Sequence, residues 1–112
     1  MVRKGKYLGE FEELVLLSVA TLYDQAYGVT VMQFIIDETG RSVNISAVHE
    51  VLKRLERKGY VKSKMGGATN ERGGRRKRYF TLTISGRKVL EVEMTLKMQL
   101  YNRVPNFSFK LS

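Results

Sequence analysis

The chain has 112 residues, the length of one domain, and 43% of them are hydrophobic, which excludes a mainly disordered polymer. Twenty lysines and arginines against eleven acids give a formal charge of +9, a balance that favours polyanionic partners. With no cysteine and a single histidine, disulfides, thiolate metal sites and thiol nucleophiles are excluded, and neither metal nor cofactor is expected.

Residues 1–9 read as a basic, glycine-containing arm. MVRKGK before LVLLSVA has a superficial leader look, but Glu10, Glu12 and Glu13 lie directly against an apolar run of only about seven residues. Secretion is therefore not expected, and the cysteine-free composition suits a reducing cytoplasm. No apolar run approaches the ~20 residues of a membrane span.

Glu10 to Leu22 predicts a first helix, with acids in the turn where the helix dipole favours them. Its Leu14, Val15, Leu16 and Leu17 wrap nearly all the way round, so it must be covered on more than one side. After a turn over Tyr23 to Ala26, Gly28 opens a second helix carrying Val29, Met32, Ile35 and Ile36 at helical spacing, with Gly40 as its stop. Asn44 caps a third helix that ends at Gly59. Tyr60 to Lys64 then reads as a strand, Met65 to Arg75 as a loop, and Arg76 to Leu82 as the returning strand. Thr83 caps a last helix from Ile84 to about Tyr101, and Pro105 forbids much continuation.

Three helices, a hairpin and a helix make a mainly α fold with a small β-hairpin. This is a winged helix-turn-helix domain over residues 10–83, a C-terminal dimerisation helix over 84–104 and a short tail over 105–112. At 100° per residue from Ser46, the third helix places Ile45, Val48, Val51, Leu52 and Leu55 in a core-facing arc of about 140° to 260°. Ser46, His49, Glu50, Lys53 and Arg57 lie on the opposite side, flanked by Arg54. Short polar groups first and long cations later is the pattern of a major-groove reader, although an ordinary solvated face carries the same residue types.

The charge distribution separates those two cases. The stretch Lys53 to Lys88 holds thirteen of the twenty cations but only two of the eleven acids, Glu56 and Glu71. A generic surface intersperses its signs. Concentrated charge of this kind, including the run Arg75, Arg76, Lys77 and Arg78, expects a nucleic-acid backbone and salt-dependent binding. On the last helix, Val89, Val92, Leu96 and Leu100 form one stripe, and Leu90, Met94, Met98 and Tyr101 another, with Lys97 between them. One small domain offers cover for one stripe. The second, Leu90, Met94, Lys97, Met98 and Tyr101, is expected to meet a partner copy, and its soft side chains could line a pocket for a flat hydrophobic or aromatic effector.

LGEFEELVLLSVATL, AYGVTVMQFI, SAVHEVLKRLERKGYV and ERGGRRKRYFTLTISGRKVL together resemble the PadR family of bacterial transcriptional regulators, in its compact subgroup with a single C-terminal helix after the wing. The resemblance implies a repressor that is not an enzyme. It places Asn44, Ser46, Ala47, His49, Glu50 and Lys53 at or near the major groove of double-stranded DNA, and Thr69, Arg72, Arg75, Arg76 and Lys77 in the wing. Tyr27, Gly28 and Tyr79 match structural positions. His49 departs from the tyrosine common at its position, so the operator is not transferable, and neither is effector chemistry. A protein-interaction module or an RNA-binding wing is the alternative; the first would lack the basic face, and the second would prefer structured RNA to duplex DNA.

Overall fold

Backbone hydrogen bonding in the first turn shows how the chain begins its fold. In the computed structural model, which describes residues 8–66 and 76–106, Gly9 is the N-cap of helix α1 (Glu10–Leu22). The Gly9 N–H donates to Glu12 Oε1 at 2.8 Å, which satisfies one donor at the helix entry. Leu8, read from sequence as part of an arm, is instead buried in the core. Val15, Leu16 and Val19 are fully enclosed, and Leu14 and Leu17 pack partly against the same cluster. As its all-round apolar surface requires, α1 is covered by several neighbours: α2 (Gly28–Thr39), α3 (Ile45–Arg57), β2 (Arg78–Leu82) and α4 (Ile84–Tyr101).

Local capping chemistry sets the helix ends. A short 3-10 turn over Tyr23–Gln25 leads to α2, where the Tyr27 N–H donates to Thr30 Oγ1 at 2.9 Å. Gly40 closes α2 in the left-handed region, φ 72°, where a side chain would be strained. Asn44 Oδ1 accepts from the Ala47 N–H at 2.8 Å and starts α3. Thr83 Oγ1 does the same for α4, accepting from the Gly86 N–H at 3.0 Å. On α3 the buried residues are Val48, Val51, Leu52 and Leu55, while Ile45 sits half-buried at the rim of this stripe.

The hairpin pairs β1 (Val61–Met65) with β2 antiparallel, from Val61 opposite Leu82 to Met65 opposite Arg78. Tyr60 is not part of the ladder, contrary to the sequence reading. Its N–H donates back to the Leu55 carbonyl at 2.9 Å, closing α3 through Gly59 at φ 83°. The returning strand likewise begins at Arg78 rather than Arg76, and the bond from the Gly66 N–H to the Lys77 carbonyl lies just outside it. The Phe80 N–H donates to the Ala26 carbonyl at 2.8 Å, tying the sheet to the segment before α2.

α4 is held at its start and uncovered at its end. A Cβ on Gly86 would lie 2.0 Å from the Tyr60 carbonyl oxygen, so the helix crosses the hairpin entry at a distance only glycine permits. This contact fixes its rotation. Gly86, Leu90 and Glu93 turn inward, and every residue from Thr95 to Tyr101 is exposed. No described helix is long and apolar enough to cross a membrane.

Candidate nucleic-acid interface

The outward side of α3 carries the side chains expected there. Asn44, Ser46, His49, Glu50, Lys53 and Arg57 are exposed or half-buried, with Ala47 beside them. Asn44 has a structural duty as well, since its carbonyl oxygen is spent on the cap and its amide group alone is free to donate outward. Lys53 and Arg57 stand one turn apart and form no ion pair with another described residue.

The wing root and α3 both meet the dipeptide Tyr27–Gly28 that opens α2. Tyr27 meets Tyr79 edge-on at 5.3 Å between ring centroids, and the Lys77 ammonium sits 5.1 Å from the centre of the Tyr27 ring. The next residue, Gly28, lies directly under the imidazole of α3: an added Cβ would fall 2.4 Å from His49 Cε1. His49 and Lys77 therefore flank one dipeptide, the former from the helix and the latter from the hairpin. Arg76 is exposed next to Lys77. Thr69, Arg72 and Arg75 lie outside the described residues.

A second link joins the hairpin to the end of α3. Arg78 Nη1 donates to Ser63 Oγ at 3.0 Å, and Ser63 Oγ donates to Glu56 Oε2 at 2.6 Å. Arg78, the last cation of the basic run, is thereby turned towards a protein partner. No group of three potential metal ligands occurs among the described residues.

Two of the sequence assignments meet contacts within the chain that the sequence did not foretell. Arg54, assigned to DNA contact, turns towards α1: its Nη1 lies 3.6 Å from Glu12 Oε2, and Lys58 Nζ lies 2.9 Å from the same oxygen. Burial pushes the Glu12 carboxyl up, but hydrogen bonds from Gly9 and Lys58 and the charges of Lys58 and Arg54 outweigh it and hold the group below the usual glutamate range. Periodicity could not reveal this, because Glu12 and Lys58 are separated by most of the three-helix unit. The other first-turn acids pair elsewhere. Arg41 donates to both oxygens of Glu10, which lowers Glu10, and Lys97 Nζ lies 2.5 Å from Glu13 Oε2.

The second concerns α4. Leu90, read as an interface residue, is buried in its own domain, and Lys97 pairs with Glu13 of its own chain. Met94 is half-buried, while Met98 and Tyr101 are exposed as expected. The uncovered apolar surface draws on both stripes: Val92, Leu96 and Leu100 of one, each at least 41% exposed, and Met98 and Tyr101 at the end of the other. Gly86 is the signal that could have decided between them, since residues four and seven positions beyond a helix–backbone contact face the same way.

Residues 15–92 match the transcriptional regulator PadR-like family. No curated protein matches the sequence. Among solved structures, the chain is similar to smu.1704 from Streptococcus mutans UA159, with 33% identity, a TM-score of 0.63, and coverage of 81% of this chain and 77% of that one. A PadR family transcription regulator from Clostridium difficile R20291 shares the fold at 23% identity and a TM-score of 0.66, covering 82% and 92%. So does Bacillus subtilis PadR in complex with operator DNA, at 18% identity and a TM-score of 0.63, covering 85% and 60%.

Proposed function

The chain belongs to the PadR-like family of transcriptional regulators, which are not enzymes, and from that premise we propose that it is a homodimeric, sequence-specific repressor acting on DNA in the cytoplasm. Two copies of α3 read the halves of an inverted-repeat operator. Asn44, Ser46, Ala47, His49 and Glu50 address base edges, and Lys53 and Arg57 address phosphates. Thr69, Arg72, Arg75, Arg76 and Lys77 supply the wing. The observation that supports this reading is the Tyr27–Gly28 dipeptide, which Lys77 of the wing root meets at the Tyr27 ring and His49 of α3 meets at Gly28.

Dimerisation is supported by the uncovered end of α4. Val92, Leu96, Met98, Leu100 and Tyr101 expose apolar surface that a single domain leaves in water, and a two-fold partner is the simplest cover. A flat hydrophobic or aromatic effector binding along that seam would release DNA by altering the spacing of the two recognition helices.

Selection of bound fragments from the source genome, followed by gel shifts over a salt series, tests the reading. Enrichment of an inverted repeat with affinity falling steeply with salt is expected. Binding that is absent, insensitive to salt, or abolished by structured RNA competitor would contradict it. Replacing Arg76 and Lys77 with Ala should weaken binding to all sequences and flatten the salt slope by about 0.9 for each phosphate that is no longer neutralised.

A further inference from the structure

Resting on the DNA-binding reading, a buried carboxylate bears on which cations of α3 reach the nucleic acid. Glu12 has a side chain only 8% exposed, in the groove where the first turn of α1 meets α3. Lys58 Nζ approaches both of its oxygens, at 3.1 and 2.9 Å, Arg54 Nη1 stands at 3.6 Å, and the Gly9 N–H completes the set. Removing a partner from an enclosed carboxylate leaves a poorly solvated charge, so these cations are held more firmly than cations in exposed pairs. Arg87 and Glu91, both largely exposed and 3.4 Å apart, illustrate the weaker kind.

α3 and its C-cap thus carry two classes of cation. Lys53 and Arg57 point outward without an ion-pair partner among the described residues. Arg54 and Lys58 sit further round the helix, towards α1. We propose that Glu12 is a specificity-determining residue: by holding Arg54 and Lys58 against α1, it keeps them off the phosphate backbone and limits sequence-independent attraction. Non-specific affinity rises with the number of phosphates neutralised, and a genome presents a vast excess of non-operator sites. Two withheld cations leave more of the binding decision to the short polar residues at the start of α3.

The test uses the full chain, a random-sequence duplex and fluorescence anisotropy over a potassium chloride series. Glu12→Gln keeps the shape and can still accept from Gly9 but releases the two cations. Its log affinity against log salt should be steeper than wild type by about one to two, near 0.9 for each additional phosphate neutralised. Glu13→Gln removes the same charge from the same turn but frees Lys97 of α4, and should leave the slope close to wild type. Equal shifts in both variants, or no shift in Glu12→Gln, would overturn the role of Glu12. If Glu12→Gln loses its helical circular dichroism, Lys58→Ala decides: an unchanged slope supports the assignment, and a slope flatter by about 0.9 shows Lys58 already on phosphate and sinks it. Wild-type protein that fails to bind the duplex removes the DNA reading itself, an outcome distinct from the others.

Discussion

A methyl group at position 86 and one at position 28 would have different consequences. At Gly86 the obstacle is the Tyr60 backbone, 2.0 Å from the added carbon, in a strand entry that cannot yield without moving α4. Gly86→Ala should lower the unfolding free energy by about 1–3 kcal/mol or more, as overpacking does, in urea denaturation. A variant as stable as wild type would mean that α4 does not cross the hairpin so closely. At Gly28 the obstacle is the end of a side chain, His49, on an exposed helix face. Gly28→Ala should therefore leave the thermal midpoint nearly unchanged while displacing His49 and weakening operator binding. A large loss of stability with intact affinity would invert that assignment.

Among elements, the first turn of α1 acts as a fastening point: Glu10 reaches Arg41 before α3, Glu12 reaches Arg54 and Lys58 at the far end of α3, and Glu13 reaches α4. Glu10 is lowered by the Arg41 hydrogen bonds and charge, and Glu12 is lowered although burial opposes it. A carboxyl lowered in the folded state contributes stability that is fully present above its unfolded value, about 4.3 for glutamate, and is lost as pH falls through the lower folded value. Stability should thus decline below about pH 4.3, and Glu12→Gln should decline less steeply over that window in acid-dependent urea titrations. Identical acid limbs would show that the Glu12 cluster contributes nothing to folding. Helix boundaries were legible because their causes are local: Asn44 and Thr83 cap with their own side chains, and Gly40 adopts a conformation its residue type favours. The rotation of α4 was not, because its two stripes are similarly apolar and the deciding contact, Gly86 against Tyr60, joins distant parts of the chain. The approach of Arg54 to Glu12 was hidden for the same reason, since its angle on the wheel gives no sign of that partner.

For the whole molecule, the face proposed for DNA and the seam proposed between copies lie on different elements and can be tested separately. Glutamates at Val92 and Leu96 should give monomers by light scattering with helical content retained, because charge would enter the proposed apolar seam. A dimer that survives would move the interface elsewhere. The proposed DNA surface is the other one, a continuous face made by α3 and the wing root. Amide chemical shifts of the labelled protein, followed as a short duplex is added at low salt, test it most directly. The largest shifts should fall on residues 44–57 and 76–78 and around Tyr27 and Gly28, with little change from Thr95 to Tyr101. Shifts concentrated on α4, or spread without preference over the molecule, would contradict it.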